Sequence, residues 1–417
     1  METTLPPERV SFFLKLLLRY LFKTRVSYDK AFKTIVNKYQ FPKWMINSLY
    51  KLGFNVVNYY YSLRWLASRK GYGSRPSSVV NYLSSIGFSI KKALAELKDL
   101  AKDLAISKKL SILYSYPEFL VEDLLNHLDL NELEKMLSSL NTRKRWLRIN
   151  TLKTSVEDAL ECLEKTGITY EREEYPEYMV YVKNPLWEPI GHNKCVLKGY
   201  VIPQDISSSL VVEASKPITG SILDACSAPG LKLSLLFMLS DSIRQVFAVD
   251  KSRKRINAEY KLLNRLSIPF NKVVLIRGDS ATMSYNRVFD LAIIDAPCSG
   301  LGAVYSDPAV KLNTPIRRKL KYYHSIQYKI LVNTLRYAER VVYATCSIHP
   351  LEGEAVIEKV VNMDYADTLQ VNNPVLSSAY PGYTVSSKTY RVKPHIVNGQ
   401  GFFIAILESR IIGKTHE

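Results

Sequence analysis

Two cysteines that follow predicted buried strands are the residues best suited to chemistry in this sequence. Cys346 ends an apolar run within residues 341–350 (VVYATCSIHP), and Cys298 follows another within residues 289–300 (FDLAIIDAPCSG). Pro350 disfavours continuation of the first strand, so the thiol before it lies at a strand end. An ionised thiol there is suited to covalent catalysis, whereas two buried core cysteines are the alternative interpretation.

The elements that position these cysteines alternate between strand and helix from about residue 201. This alternation predicts a parallel sheet with helices on both faces. We predict strands at residues 220–225, 245–250, 272–279, 289–295 and 340–346. Helices are expected to begin near Lys232, Ser252, Pro315 and Gly353. The final stretch predicts a terminal hairpin around NGQG (398–401).

Polar or reactive residues follow each of the five predicted strands. In chain order they are DACSAPG (224–230), Asp250, Asp279, DAPCSG (295–300) and TCS (345–347). In an open parallel sheet, ligands bind in the crevice outside the carboxyl ends of the strands. We therefore expect all five segments to contribute to one site.

The loop after the first strand has no GxGxxG pattern, so a dinucleotide is not favoured. CSAPG (226–230) bends at Pro229 and Gly230, where backbone amides can approach a carboxylate-bearing ligand. Asp250 is placed to accept both hydroxyls of a ribose, and Asp279 to accept an adenine amino group. Together these features predict S-adenosylmethionine, although an isolated aspartate here is usually a turn or cap residue.

The two thiols also fit the methylation of a cytosine ring. Carbon-5 of cytosine is a poor nucleophile, and a thiolate that adds to carbon-6 activates it. Asp295 can hydrogen-bond ring nitrogen-3 and the exocyclic amine, which stabilises the charge that develops. After methyl transfer, the carbon-5 proton and the thiol must both leave, and a second thiol can assist that stage.

From about residue 115 to its end, the chain resembles the RNA (cytosine-5) methyltransferase family, the Nol-Nop-Sun class. The motifs that match, in the order of the family, are YPEFLV (116–121), LRINTLK (147–153), IPQDISSSL (202–210), DACSAPGLK (224–232), DAPCSGLG (295–302), YATCSIHPLEGE (343–354) and GFFIAIL (401–407). Two cysteine motifs in this order, each preceded by a strand, make the resemblance specific.

The resemblance implies a role for each site residue. Cys346 corresponds to the nucleophile of the family and Cys298 to the cysteine that helps to release the product. Lys232 corresponds to the lysine that approaches the target base, and Asp295 to the acidic residue beside it. The implied cofactor contacts are Cys226, Ser227, Ala228, Pro229, Gly230, Leu231, Lys232, Asp250, Arg255, Asp279 and Asp295.

Charge and cysteine usage limit the class of protein. The net charge is +18, and residues 1–100 hold 17 basic against 5 acidic side chains. This excess favours a polyanionic partner, nucleic acid before membrane, with a generally basic soluble surface as the alternative. Five scattered cysteines without a CxxC pair predict a reduced cytoplasmic protein without a disulfide framework or metal. We also expect no membrane span, and a monomer.

The predicted fold class is α/β, with three domains. Residues 1–105 are expected to form an all-helical basic domain, which resembles the NusB-like RNA-binding domain of some family members. Residues 106–200 are expected to form a helical linker, with Asn131 as a helix N-cap, and a small RNA-recognition-like α/β unit. Residues 201–417 are expected to form a Rossmann-like S-adenosylmethionine-dependent methyltransferase domain.

The function that these features predict is methylation of carbon-5 of a cytosine in structured ribosomal or transfer RNA. The usual AAPGGKT of the family is SAPGLKL here, so Leu231 replaces a glycine and Leu233 a threonine. A catalytically retired RNA-binding or assembly factor is therefore one alternative. A DNA or small-molecule methyltransferase on the same fold is the other.

Overall fold

The computed structural model describes residues 5–413, and its internal contacts divide the chain into two units. The first unit comprises the chain up to Thr142 together with Ala303–Lys319. The second comprises Arg143–Gly302 and the chain from Leu320 onward. This division differs from the domain boundaries predicted after residues 105 and 200. Whether the three predicted domains fold independently stays a prediction.

The first unit is helical, as predicted. Its N-terminal helices are α1 (Pro7–Thr24), α2 (Tyr28–Tyr39), α3 (Lys43–Asn58), α4 (Tyr60–Arg69), α5 (Pro76–Ser85), α6 (Ile90–Ala95), α7 (Leu97–Leu100), α8 (Ile106–Tyr114), α9 (Glu118–Leu125) and α10 (Leu130–Asn141). Pro76 begins α5, because the first helical turn needs no proline N–H. The prediction of Asn131 as an N-cap is wrong. Asp129 caps α10 by accepting a hydrogen bond from the Glu132 N–H.

A small antiparallel sheet opens the second unit. Its elements are β1 (Trp146–Ile149), α11 (Val156–Lys165), β2 (Thr169–Arg172), β3 (Met179–Asn184), a 3-10 turn (Ile190–His192), α12 (Lys194–Lys198) and β4 (Val201–Pro203). The strand order is β2-β3-β1-β4. This four-stranded sheet with its helices agrees with the predicted small α/β unit.

The expectation of wholly reduced cysteines is wrong for one pair. Cys162 of α11 and Cys195 of α12 form a disulfide, with their Cα atoms 5.9 Å apart. Both cysteines pack into the hydrophobic core of the small sheet. Their separation of 33 residues hides this proximity in the sequence, because packing of the two helices brings the thiols together.

The remaining elements form the large sheet and its helices. They are α13 (Ile206–Glu213), β5 (Gly220–Asp224), α14 (Leu231–Leu239), β6 (Ile243–Asp250), α15 (Arg253–Arg265), a 3-10 turn (Phe270–Lys272), β7 (Val273–Arg277), β8 (Phe289–Asp295), α16 (Ala309–Asn313), α17 (Arg317–Leu335), β9 (Ala338–Thr345), a 3-10 turn (Pro350–Glu352), α18 (Glu354–Asn362), β10 (Ala366–Leu369), β11 (Ser377–Ser378), a 3-10 turn (Ser386–Lys388), β12 (Tyr390–Val392), α19 (Pro394–Val397) and β13 (Phe402–Ser409). Of these, α16 belongs to the helical unit.

Nine strands of the described chain form the large sheet, in the order β11-β12-β13-β9-β8-β5-β6-β7, with β10 paired to β13. Strands β5 to β9 are parallel to their neighbours, and β13 runs antiparallel to β9. Since β5 lies between β6 and β8, the strand order reverses there, and the crevice for a ligand opens at such a point. Two buried hydrophobic clusters provide the core of this unit.

All five predicted parallel strands are present, with ends that differ by up to two residues. The strand predicted to reach residue 279 ends at Arg277, and Ser252 is the N-cap of α15 rather than its first residue. The predicted terminal hairpin exists as the antiparallel pair β12–β13. Helix α19 lies between the two strands, so NGQG is not a tight two-residue turn. In the part of the chain that the structure describes, no helix is long and apolar enough to cross a membrane.

Candidate active site

The two cysteines singled out in the sequence lie beside one another. Cys298 follows β8 and Cys346 follows β9, and these adjacent strands pair Asp295 with Ala344. The two Sγ atoms are 3.2 Å apart. A hydrogen bond to the Cys346 sulfur, together with burial, raises the pKa of Cys298 well above its ordinary value. The raised pKa favours the protonated form of Cys298, and either sulfur can donate the hydrogen bond that joins the pair.

The buried carboxylate of Glu352 fixes this sulfur pair. One carboxylate oxygen accepts from the Ser299 N–H at 2.8 Å and from Gln327 at 3.2 Å. The other accepts from the hydroxyls of Ser299 at 2.5 Å and Ser347 at 2.6 Å. Because each serine directly follows one of the cysteines, a single carboxylate determines the positions of both thiol-bearing loops.

A buried ion pair between β12 and α18 supports the Cys346 loop. The Arg391 guanidinium of β12 donates two hydrogen bonds to the Glu354 carboxylate of α18, at 2.9 and 2.5 Å. It also donates to the Ser347 carbonyl at 2.5 Å. Both side chains are almost fully inaccessible to solvent. Removing either partner would therefore leave a buried charge unpaired, which costs a large amount of folding free energy.

Lys232 and Asp295 form the second part of the site. The Lys232 ammonium lies 2.5 Å from an Asp295 carboxylate oxygen and 5.6 Å from the centre of the Phe402 ring. The lysine side chain is 8% exposed, whereas that of Asp295 is 35% exposed. Asp295 thus presents a carboxylate to the crevice while a buried cation holds it in place.

The CSAPG loop joins β5 to α14 and turns at Gly230. Gly230 is the N-cap of α14 and has a φ of +94°, in the left-handed region that favours glycine. A Cβ there would also meet the Glu259 side chain at 3.0 Å. Leu231 packs partly buried against the hydrophobic core, so the side chain that replaces a family glycine lies among apolar neighbours.

A carboxylate below this loop was not predicted from the sequence. Glu259 of α15 is fully buried and accepts a hydrogen bond from the Ser227 hydroxyl at 2.9 Å. Its other carboxylate oxygen has no hydrogen-bond partner. Burial raises the pKa of Glu259 to about 7. The available signal was its spacing: Glu259 lies four residues before buried Leu263, on the inward face of the helix.

The predicted ribose-binding aspartate also has partners within the protein. One Asp250 carboxylate oxygen accepts from the Ser252 N–H at 2.8 Å, and the other lies 3.2 Å from the Arg255 guanidinium. Arg255 also donates to the Ala228 carbonyl of the CSAPG loop. Arg255 therefore links two segments that the sequence assigned to the same ligand.

Asp279 is at the outer edge of the predicted site. Its carboxylate pairs with Lys251 at 2.7 Å, and this hydrogen bond lowers the pKa of Asp279. Burial, followed by the charges of nearby aspartates, raises the pKa of Cys226. Asp295 contributes to that shift and to the shift at Cys298, so its carboxylate lies between the cofactor loop and the thiol pair.

Two domain families match this chain. The family described as "16S rRNA methyltransferase RsmB/F" matches residues 215–408, and the "Methyltr_RsmF/B-like, ferredoxin-like domain" matches residues 116–186. Both matches are to RsmB/F methyltransferases, and together they span residues 116–186 and 215–408. The family domain contains β5 to β9 and both thiols, and the ferredoxin-like match ends within the small antiparallel sheet.

One curated relative of this chain is a human 28S rRNA (cytosine(4447)-C(5))-methyltransferase. It is 30% identical over 72% of this chain and 38% of its own length. The chain spans less than half the length of this relative and of two others, from mouse and Caenorhabditis elegans.

Solved structures support the fold. The structure described as PH0851 has a TM-score of 0.78 at 20% identity and covers 97% of this chain and 99% of its own. NSun6 from Pyrococcus horikoshii, solved with SFG, has a TM-score of 0.64 at 19% identity. That alignment covers 73% of this chain and 100% of NSun6. These structures share the fold of this chain, which is the α/β architecture that the sequence predicts.

Proposed function

We propose that this protein methylates carbon-5 of a cytosine in ribosomal RNA and uses Cys346 as the nucleophile. The observation that carries the proposal is the pair of sulfurs 3.2 Å apart at the ends of adjacent parallel strands. Two adjacent sulfurs joined by a hydrogen bond are suited to the two stages of the reaction. The match to the RsmB/F family supports the reaction class, and the human relative supports ribosomal RNA as the substrate.

In the first stage, the Cys346 thiolate adds to carbon-6 of the base and makes carbon-5 nucleophilic. The Asp295 carboxylate, held by Lys232, accepts a hydrogen bond from the exocyclic amine of the base, and the Lys232 ammonium beside it offsets the negative charge that develops on the ring. In the second stage, carbon-5, which would have received the methyl group of the cofactor, loses its proton to a general base. The electrons of that C–H bond restore the carbon-5–carbon-6 double bond as the Cys346 sulfur leaves carbon-6 as a thiolate. Cys298 assists this stage, since it lies next to the sulfur that must be expelled.

The cofactor we propose is S-adenosylmethionine, which supplies an electrophilic methyl group. Its contacts would be the segment Cys226–Lys232 together with Asp250, Arg255, Asp279 and Asp295. Asp250 is suited to the ribose hydroxyls, provided that they replace its contact with Arg255. The buried acidic groups below the loop, Asp224 and Glu259, fit a ligand that carries a positive sulfonium and amine.

The RNA is proposed to bind through its phosphates to the basic N-terminal part of the chain. The excess of basic residues in the first 100 positions supports phosphate binding, which weakens as salt concentration rises. The target cytosine must be unpaired or flipped out before it reaches Cys346. Transfer RNA is the other structured RNA to be tested, and we expect a monomeric cytoplasmic enzyme.

The test is methyl transfer from labelled S-adenosylmethionine to unmodified ribosomal RNA, transfer RNA and DNA. The wild type should label ribosomal RNA, and Cys346→Ala should label nothing. Cys298→Ala should accumulate a protein–RNA adduct on a denaturing gel, because the expulsion of Cys346 is impaired. The double variant Cys162→Ser/Cys195→Ser controls for the loss of cysteines outside the site and should stay active.

Leu231 gives the retired-enzyme alternative a specific basis, because a glycine is usual at this place in the family. Titration with S-adenosylmethionine separates the two functions. Binding below millimolar concentration supports the enzyme, whereas RNA binding without cofactor binding or methyl transfer supports the retired factor. Transfer to DNA that exceeds transfer to RNA would contradict both.

A further inference from the structure

Helix α17 brings a tyrosine to the thiol pair. Gln327 of this helix donates hydrogen bonds to the Pro297 carbonyl at 3.0 Å and to Glu352 at 3.2 Å. The His324 ring lies 2.8 Å from the Leu351 carbonyl. These contacts hold one face of α17 against the loops of both cysteines. Tyr323 lies four residues before Gln327, so it shares that face and projects one turn nearer the helix start.

The environment of Tyr323 places its ring beside the reaction site. Burial, followed by the charges at Cys298 and Glu352, raises the pKa of the Tyr323 phenol to about 12. The Tyr323 side chain is half-buried. Ile326 and Tyr328 of the same helix pack against the hydrophobic core beneath the sheet, and Tyr323 does not belong to that cluster. Tyr323 therefore presents a neutral aromatic surface near the thiols, and part of that surface faces solvent.

A second ring extends this surface toward the predicted cofactor edge. Tyr322 packs edge-to-face on Tyr323, with ring centroids 5.7 Å apart, and is 57% exposed. Tyr322 is also close enough to Lys251 to contribute to the raised pKa of that ammonium. Lys251 in turn pairs with Asp279. The two tyrosines thus form a pair of rings on α17, with Tyr323 in electrostatic reach of the thiol pair and Tyr322 in electrostatic reach of Lys251.

A flat aromatic surface beside a nucleophile suits a base that has left its helical stack. Stacking on aromatic side chains is a common way to hold an unpaired base. We propose that the Tyr323 ring packs against the target cytosine and holds carbon-6 of the base in front of Cys346. The inference rests on the proposed function, and it names a base-contacting residue that the cysteine and aspartate motifs do not contain.

The test compares kcat/KM for methyl transfer to an unmodified ribosomal RNA transcript among variants of the full chain. Tyr323→Ala should lower kcat/KM by about 10-fold to 100-fold, the range expected for losing one stacked base. Tyr323→Phe keeps the ring and should stay within about threefold of wild type. Tyr323→Leu fills a similar volume without a flat ring and should resemble Tyr323→Ala. The dissociation constant for S-adenosylmethionine should not change.

Tyr328→Ala is the matched control, because Tyr328 lies on the same helix and packs toward the sheet under Lys359. It should affect stability more than kcat/KM. Unimpaired Tyr323→Ala and Tyr323→Leu would overturn the inference, and so would a Tyr323→Phe defect as large as that of Tyr323→Ala. A wild type that binds the transcript but never methylates it would overturn the proposed function and this inference with it.

Discussion

At the scale of single residues, Glu259 is expected to make the stability of the protein depend on pH. It is buried beneath CSAPG, bonded to Ser227, and faces the charges of Asp250 and Arg255. Burial raises its pKa from 4.5 to about 7. An acid whose pKa is raised on folding contributes most to stability below its unfolded pKa. That contribution is lost as the pH rises through the folded pKa.

Glu259→Gln removes the charge and retains an acceptor for Ser227. We expect equal melting temperatures for wild type and variant near pH 5, and a higher melting temperature for the variant at pH 8.5. The shift corresponds to at most about 3 kcal/mol in the free energy of unfolding. Glu177→Gln, at an exposed glutamate, is the control and should show no such divergence. Parallel pH profiles for Glu259→Gln and wild type would show that burial does not raise the pKa of Glu259 as described.

At the scale of elements, the site depends on two loops that one carboxylate ties together. Glu352 accepts four hydrogen bonds, three of them from the serines that follow Cys298 and Cys346. Its removal leaves buried donors without acceptors, at about 1–3 kcal/mol for each group. It also removes the contact that sets the distance between the two sulfurs.

Glu352→Ala should lower kcat by about 100-fold, as expected when reacting groups are displaced by about 1 Å. Glu352→Gln should be milder, because serine hydroxyls can rotate and accept from an amide. Single-turnover methyl transfer measures this difference, with S-adenosylmethionine affinity as the check that the cofactor loop is intact. Equal activity of Glu352→Ala and wild type would mean that the strands alone position the thiols.

At the scale of the whole molecule, the segment Ala303–Lys319 follows the Cys298 loop in the chain yet packs with the helical unit. Lys311 of α16 is fully buried and donates to the Asn58 carbonyl at 2.9 Å and the Asn141 side chain at 2.6 Å. Its ammonium also lies 3.9 Å from the centre of the Tyr116 ring. The N-terminal helices therefore supply the partners of a segment that belongs, by sequence, to the methyltransferase domain.

A variant that lacks residues 1–142 should consequently be poorly soluble or melt at a lower temperature than the full chain. The deletion leaves the Lys311 ammonium without its acceptors and exposes Ala309 and Leu312, which are buried in the full chain. Co-expression with residues 1–142 as a separate chain should restore solubility, and scanning calorimetry measures the recovery. A truncated chain that folds with the stability of the full protein would contradict this account.

The sequence by itself determined the parallel strands, their order along the chain and the residues at their carboxyl ends. Apolar runs of strand length are a local signal, and the rule that ligands bind at strand ends converts them into a site. That is why Cys298, Cys346 and Asp295 could be predicted from the strand pattern, whereas Lys232 came from the motif resemblance. The motif resemblance then supplied roles that strand position alone does not contain.

Tertiary structure decided what depends on side chains that are distant in the chain. It placed the two sulfurs 3.2 Å apart, put Glu259 below Ser227, and joined Cys162 to Cys195. It also assigned Ala303–Lys319 to the helical unit. None of these contacts leaves a periodic signal, because each depends on how separate elements pack rather than on the pattern within one of them.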